Sequence, residues 1–186
     1  MVKRSRLAFA ALVAVAAVAL LAACGSSKKA ETTTSSTSTN SSDAQKFAAD
    51  VCGAFGTWKT SVTAAGKSLV TNPTKAGVQD ALNSSKAATK TLKTTLQGIN
   101  APSTSAGQEA KKTLQTLEGE LQNDAAVIQR TINNVAASGG VQDATTTITT
   151  TITTMKQQVK DTGNSLKSLP TGEVSQAFKD EPSCSS

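Results

Sequence analysis

With 186 residues, the chain is long enough for one domain with a hydrophobic core and too short for two. It contains no His, which excludes Ser-His-Asp triads, Glu-x-x-His di-iron sites and axial-His haem ligation. Aromatic residues make up only 3% of the chain, so a core must come from helices packed closely through small side chains. The net charge is +6, but the charged residues are interspersed, and nucleic-acid binding, which needs a concentrated basic surface, is not expected.

The chain begins with a short basic segment, residues 1–6, followed by an uninterrupted apolar run, residues 7–23. A basic start and an apolar run that ends in small residues are typical of an export signal. The alternative is a membrane-spanning helix. The run is slightly short of the ~20 apolar residues that a span needs, and it ends at Cys24 rather than at a basic residue.

The apolar run ends in Leu21-Ala22-Ala23-Cys24, which resembles the lipobox of bacterial lipoproteins. The resemblance implies that residues 1–23 are a signal peptide and that Cys24 is acylated and becomes the first residue of the mature protein. Two acyl chains give stable anchoring where one gives only marginal binding. The resemblance therefore predicts a protein anchored by lipid to the cell membrane, on its exported face. It covers only this leader, and we recognise no family in the rest of the chain.

Residues 24–42 are dominated by Ser and Thr and contain no aliphatic side chain larger than Ala. Such a composition cannot offset the entropy lost on ordering, so a disordered tether is predicted. Residues 43–186 are predicted to form a helical domain. Ser42 and Gln45 have the spacing of a capping box, which places the start of the first helix at this boundary.

Four segments carry apolar residues at intervals of three and four, which predicts helices with one buried face. The breaks between them are expected at Asn72-Pro73, Ala101-Pro102 and Gly139-Gly140. Pro73 is expected in the first turn of the second helix, and a capping box is expected at Ser105 and Gln108. The four stripes are Phe47, Val51, Phe55, Trp58, Val62, Ala65 and Leu69; Val78, Ala81, Ser85, Ala88, Leu92, Leu96 and Ile99; Ala110, Leu114, Leu117, Leu121, Ala125, Ile128, Ile132 and Val135; and Val141, Thr145, Ile148, Ile152, Met155, Val159, Thr162, Leu166 and Leu169.

The fourth segment contains residues 145–154, which are mostly Thr and Ile and so favour a strand by composition. The spacing of Ile148, Ile152, Met155 and Val159 favours a helix, and we predict a helix. The predicted fold is therefore all-α: an antiparallel up-down four-helix bundle with a short C-terminal helix over residues 173–179.

Once Cys24 is acylated, Cys52 and Cys184 remain, and an even pair in an exported protein predicts one disulfide. In an antiparallel arrangement of four helices, the start of the first helix and the chain after the fourth fall at the same end. The bond would stabilise the fold by about 4–5 kcal/mol through chain entropy. Gly53 and Gly56, beside Cys52, are expected to let the C-terminal tail approach the first helix.

Phe47, Phe55 and Trp58 lie near Cys52, and Phe178 lies shortly before Cys184. This distribution predicts an aromatic plug around the disulfide, where the tail docks. The alternative is that Trp58, Phe47 and Phe55 line a ligand pocket, although an aromatic stripe at helical spacing is more often part of a core.

Glu118, Glu120 and Asp124 form the densest group of carboxylates, and Glu120 and Asp124 share a helix face. A solvated face is the plainer interpretation; a hydrolase would need two of these carboxylates to converge in a cleft. Neither a cofactor nor a metal site is expected, and no free thiol remains if the cysteines are acylated and bonded as predicted. General acid–base chemistry favours His, which argues against an enzyme.

The leading hypothesis is therefore a non-enzymatic envelope lipoprotein that serves as an interaction or binding module for an envelope protein. The alternative is a carrier or sensor of a small ligand. That alternative requires a cavity of at least ~300 Å³ between helices. Its lining would include Trp58 together with Thr145, Thr149 or Thr162.

Overall fold

The structure, a computed structural model, describes residues 35–138, 140–170 and 172–185. Over these residues the chain is all-α, with five helices, a final 3₁₀ turn and no strand, as the sequence predicts. The helices are α1, Ser35–Thr71; α2, Lys75–Gly98; α3, Ser105–Ser138; α4, Val141–Lys167; and α5, Glu173–Asp180, and the 3₁₀ turn is Pro182–Ser185. The predicted signal peptide and the lipidation site Cys24 lie outside the described residues.

Residues 145–154 lie inside α4, which confirms the helix predicted from the spacing of their apolar residues. Threonine hydroxyls in this segment donate to the backbone carbonyl oxygens four residues earlier, as Thr151 does to Thr147 and Thr153 to Thr149, both at 2.9 Å. These bonds satisfy the hydroxyls that donate them, whereas the buried Oγ1 of Thr149 has no hydrogen-bond partner among the described residues. The buried face of α4 thus outweighs the strand preference of its β-branched residues.

α1 begins at Ser35, inside the segment that the sequence predicts to be a tether. Ser42 and Gln45 consequently lie within the helix, and the capping box predicted at its start is wrong. Serine and threonine cost only a few tenths of a kcal/mol relative to good helix formers, and a helix that is already nucleated extends at little cost. Residues 41–43 are exposed and Ala44 is buried, so the buried stripe does begin near the predicted boundary.

α2 and α3 begin with the same capping arrangement. The N–H of Gly77 donates to Thr74 Oγ1 at 3.1 Å, and the N–H of Gly107 donates to Thr104 Oγ1 at 3.1 Å. Thr74 rather than Pro73 therefore starts α2. The capping box predicted at Ser105 is also wrong, by one residue, because the hydroxyl of Thr104 takes that role.

The two caps belong to a repeated Thr-x-Ala-Gly sequence, at residues 74–77 and 104–107, which the helical periodicity did not reveal. In each copy the preceding chain folds over the first helical turn. A Cβ atom on Gly77 would overlap the carbonyl oxygen of Asn72, and one on Gly107 would overlap that of Pro102. Glycine is therefore needed at both positions because backbone, which cannot move aside easily, occupies the space of a side chain.

The core lies where the buried stripes of the helices meet. α1 packs against α2, α4 and α5, while α3 packs against α2 and α4. The predicted stripe residues are buried or half-buried, except Val135, whose side chain lies outside the described set. Leu82, Ala144 and Thr151 are further buried residues that the stripes omitted. No helix in the described part of the chain carries an apolar stretch long enough to cross a membrane.

The C-terminal segment is fastened to α1. Cys52 and Cys184 form the predicted disulfide, with their Cα atoms 5.0 Å apart. The ring of Phe178 meets Phe47 edge-on at a centroid distance of 5.6 Å, and both rings are buried. Ser175 Oγ donates to the carbonyl oxygen of Lys167 at 2.8 Å, which ties α5 to the end of α4.

The tail does lie against α1, but Gly53 and Gly56 do not provide the room for it, and that part of the prediction is wrong. A Cβ atom on either glycine would meet no atom within 4 Å. The tail instead contacts α1 through the buried Cys52 and Phe47, which lie on the face that packs against α5. The two glycines border open space.

The repeated caps predict that replacing a glycine by alanine has opposite effects on stability at different positions. Gly77→Ala and Gly107→Ala should each lower the free energy of unfolding by about 1–3 kcal/mol, because the new methyl group displaces backbone. Gly119→Ala is the matched control, since Gly119 is exposed inside α3 with open space around it. It should raise the free energy of unfolding by about 0.5–1 kcal/mol. Chemical denaturation followed by circular dichroism measures all three, and equal effects would contradict this account.

Candidate functional site: two grooves beside Trp58

Trp58, the single tryptophan of the chain, lies between two grooves. It is only 2% exposed, and its indole Nε1–H donates to Thr89 Oγ1 of α2 at 3.2 Å. This hydrogen bond fixes the ring against α2 and satisfies its one polar group. One groove runs between α1 and α2 and the other between α1 and α4, and Trp58 lines both.

The α1–α2 groove has a volume of about 600 Å³. Its lining contains no charged residue: small apolar residues such as Gly53 and Ala87 alternate with the hydroxyls of Thr57, Thr91 and Thr95. Small side chains on both helices leave this space open. The groove offers hydrogen bonds and a narrow apolar surface, but no electrostatic preference.

The α1–α4 groove is slightly larger, at about 660 Å³, and chemically different. Buried Phe55, Trp58 and Val159 provide its apolar lining, together with the Cys52–Cys184 disulfide. Polar side chains surround this apolar part. They are Lys59, Thr153, Lys156, Gln157, Lys160, Asn164, Lys167 and Ser183.

Four of the lining residues are lysines, and none is a carboxylate. Lys59, Lys156 and Lys160 make no ion pair or hydrogen bond with the rest of the described chain. Lys167 Nζ donates to the carbonyl oxygen of Cys184 at 2.9 Å, so its charge is held at the disulfide. The groove therefore combines an apolar interior with positive charge that the protein does not neutralise.

Two acidic residues close to the groove are already engaged. Asp161 Oδ1 accepts from Gln157 Nε2 at 2.8 Å. Glu181 Oε1 accepts from both the N–H and the Oγ–H of Ser183, and these hydrogen bonds hold the pKa of Glu181 below its usual value. Neither carboxylate lines the groove itself.

The residues predicted to line a ligand pocket separate in the structure. Trp58 lines both grooves and Phe55 lines the α1–α4 groove. Phe47 lines neither, because its ring is packed against Phe178. The threonines proposed to accompany Trp58, which are Thr145, Thr149 and Thr162, also lie outside both linings.

The basic character of the α1–α4 groove has a partial signal in the sequence. Lys156, Lys160 and Lys167 recur at intervals of four and seven, which places them on one face of α4 together with Gly163. Lys59 joins them only through tertiary packing. Like charges four residues apart destabilise a helix by about 0.2–0.5 kcal/mol, so the pair of Lys156 and Lys160 brings the fold no benefit.

The acidic cluster does not form a shared site. Glu118 Oε2 accepts from Gln97 Nε2 of α2 at 3.0 Å, whereas Asp124 faces Gln158 of α4. Glu120 is exposed. Among the described residues, no three His, Cys, Asp or Glu side chains are grouped so that they could hold a metal ion.

Asp124 lies half-buried in the seam between α3 and α4. Burial raises the pKa of its carboxyl above the usual value, and a hydrogen bond from the Gln158 side chain opposes the shift. Asp124 Oδ2 and Gln158 Oε1 are both buried and find no hydrogen-bond partner in the described part of the chain. Both atoms are acceptors, so a proton on the carboxyl would supply the missing donor.

Comparison with known proteins identifies no relative: no protein-family model, no curated protein and no solved structure matches this chain. No function can therefore be carried over from a related protein. The grooves and their lining residues are the basis for a functional assignment.

The seam between α3 and α4 predicts a pH-dependent stability. The Asp124 carboxyl of the unfolded chain titrates near 3.8, below its pKa in the folded protein. The folded state thus binds the proton more tightly, and the free energy of unfolding falls as the pH rises through 3.8 towards the raised pKa. Asp124→Asn removes this loss, so it should stabilise the protein at about pH 7 and much less at about pH 3.

Denaturant titrations at the two pH values measure this difference. Glu120→Gln is the matched control, because Glu120 is exposed one turn before Asp124 on the same helix. The control should change stability little at either pH. A stabilisation by Asp124→Asn that is equal at both pH values would contradict the assignment.

Proposed function

We propose that this protein is a lipid-anchored envelope lipoprotein whose helical domain is a non-enzymatic binding module. In this proposal residues 1–23 are removed on export and Cys24 carries the acyl chains. The support is the basic start, the apolar run and the lipobox-like Leu21-Ala22-Ala23-Cys24. The domain then acts at the membrane surface, on the exported face.

We further propose that α1 to α4 form an antiparallel up-down bundle. Helices that follow one another pack together, and α1 also packs against α4, as expected when a bundle closes. The connections are short, since Lys75 follows Thr71 within a few residues and Val141 follows Ser138. The disulfide joins the early part of α1 to the chain beyond α4, which is consistent with both lying at one end.

The observation that carries the binding function is the pair of grooves that meet at Trp58. Each exceeds the ~300 Å³ at which small-molecule sites begin, and both lie well within their usual range of about 300–1,000 Å³. A rigid aromatic ring with its polar group satisfied gives such a site an apolar contact surface. The proposed occupant is therefore a small ligand, as a carrier or sensor would bind.

A protein partner, which the sequence left as the leading occupant, has less support from the surface. Cores of protein–protein interfaces are enriched in aromatic and other large apolar residues. Of the large apolar side chains whose burial is described, only Val70 is exposed, at 62%. The grooves offer a more specific surface than any exposed apolar patch.

The anchor predicts a defined mature mass. Protein purified from its native membrane should start at Cys24 and carry acyl chains, as measured by intact-mass spectrometry. Cys24→Ser removes the only thiol that can be acylated there and should leave residues 1–23 in place. Ser27→Ala is the control and should be processed normally. A parent protein that begins at Met1, or that lacks acyl mass, would refute the anchor.

The binding function predicts a bound small molecule. Protein extracted in neutral detergent should retain a non-covalent ligand in nondenaturing mass spectra. The double substitution Gly56→Leu and Gly163→Leu fills the α1–α4 groove and should abolish that mass. Gly119→Leu, on an exposed position outside both grooves, should not. Recovery of a stoichiometric protein partner and no small molecule would contradict the proposal.

A further inference from the structure

We infer that the α1–α4 groove selects small amphipathic anions: molecules with one anionic group, such as a phosphate or a carboxylate, attached to a short apolar part. The inference rests on the proposed binding function and names the ligand class for one of its two grooves. It follows from the charge, the floor and the glycines of that groove. The α1–α2 groove, which has no charged lining, serves as the internal comparison.

The charge of the groove fits a single anionic group. Lys59 of α1 faces Lys156 and Lys160 of α4 across the groove lining, and these three ammonium groups have no partner among the described residues. Lys167 adds a fourth charge beside the disulfide, where it donates to the carbonyl oxygen of Cys184. Ammonium groups act as compact point charges for phosphates and carboxylates. No carboxylate lines the groove to repel such a ligand.

The floor of the groove fits an apolar group. Phe55, Trp58 and Val159 are each less than 10% exposed, yet they line the groove together with the disulfide. Each keeps only a small exposed area, so a ligand that reaches them gains a modest apolar contact, at roughly 25 cal/mol per Å² of area removed from water. An inorganic anion would leave this surface unused, and an uncharged apolar molecule would leave the lysines unpaired.

Two glycines keep the groove open at a cost to the fold. Gly56 of α1 and Gly163 of α4 line the groove inside helices, and a Cβ atom on either would meet no atom within 4 Å. Packing therefore does not require glycine there, although each costs roughly 0.5–1 kcal/mol relative to alanine. Gly119 also has open space around it but lies outside both grooves, so the position of Gly56 and Gly163 in the groove lining, and not their cost alone, connects them with a ligand.

A diffusible molecule fits this site better than a bilayer surface. The lysines stand around a concave apolar lining of about 660 Å³, which suits one small molecule. A bilayer would instead require a flat basic face. The free form of the ligand is therefore the occupant that we assign.

The test uses the lipidated full protein in phosphatidylcholine vesicles and three probes. Hexyl phosphate has both an anionic and an apolar part. Inorganic phosphate has only an anionic part, and hexyl glucoside has an apolar part but no charge. Trp58 is the single tryptophan, so its fluorescence reports on both grooves without interference. Hexyl phosphate should bind saturably and at least 10-fold more tightly than either other probe. This difference in affinity corresponds to roughly 1.4 kcal/mol of binding free energy.

The double substitution Lys156→Gln and Lys160→Gln should weaken hexyl phosphate binding by roughly 2- to 30-fold, the range expected for two exposed ion pairs. Raising the salt from about 0.1 to 1 M should weaken it as well, because the Debye length shortens from about 10 to 3 Å. Lys111→Gln with Lys112→Gln is the matched control, since these exposed lysines of α3 lie outside both grooves. It should leave the affinity unchanged.

The glycines give a second readout. Gly56→Ala and Gly163→Ala should raise the melting temperature, as is also expected for Gly119→Ala. They should in addition weaken the binding of hexyl phosphate by roughly 4-fold for each methyl that displaces a ligand CH₂. Gly119→Ala should leave the affinity unchanged. A lower melting temperature for the two groove variants would show that packing needs these glycines and would overturn this part of the inference.

Three outcomes would overturn the inference as a whole. In the first, hexyl glucoside binds as tightly as hexyl phosphate and the lysine substitutions change neither affinity. This result would refute the anion selectivity but leave the binding function intact. The protein could instead bind vesicles that contain phosphatidylglycerol, lose this binding in the lysine variant, and fail to bind hexyl phosphate. That result would assign the lysines to the membrane surface. No response to any probe would exclude this ligand class, and the nondenaturing mass spectra would then decide whether the module binds another.

Discussion

The Cys52–Cys184 disulfide is the constraint on which the C-terminal part of the structure depends. It holds the chain beyond α4 against α1 and spans 132 residues of sequence. Beside it, Phe178 packs edge-on against Phe47, and Lys167 donates to the carbonyl oxygen of Cys184. The same bond lines the α1–α4 groove, so one covalent link both closes the fold and shapes the candidate ligand site.

The rest of the site follows from how this chain fills its core. With few aromatic residues, the helices meet through Ala, Val, Leu and Ile, and small residues on the outer faces leave grooves between them. Trp58 spans the space between two such grooves because its hydrogen bond to Thr89 fixes it against α2. Around the α1–α4 groove the chain carries helix-interior glycines and a pair of lysines four residues apart, and neither feature stabilises the fold. Those costs gain a physical reason if the groove holds an anion.

The helices were predictable because apolar spacing is a local signal, and the disulfide was predictable because only Cys52 and Cys184 remain once Cys24 is set aside as the predicted acylation site. The start of α1 was not, since Ser and Thr near Ser35 neither bury area nor strongly oppose a helix. The cap of α3 was displaced because Thr104 and Ser105 offer adjacent hydroxyls, and only the fold of Pro102 over Gly107 distinguishes them. The α1–α4 groove could be predicted only in part from the sequence, because Lys59 comes close to the lysines of α4 only through tertiary packing.

Hydrogen–deuterium exchange with and without the disulfide tests the central claim most directly. In Cys52→Ser with Cys184→Ser, the amides of the 3₁₀ turn and of α5 should lose most of their protection, because the segment then depends on the buried side chains of α5, such as Val174 and Phe178, and on the hydrogen bond from Ser175 to Lys167. The seam between α2 and α3, which the bond does not touch, should keep its protection. Unchanged protection of α5 in the variant would contradict the claim that the disulfide fixes this end of the protein.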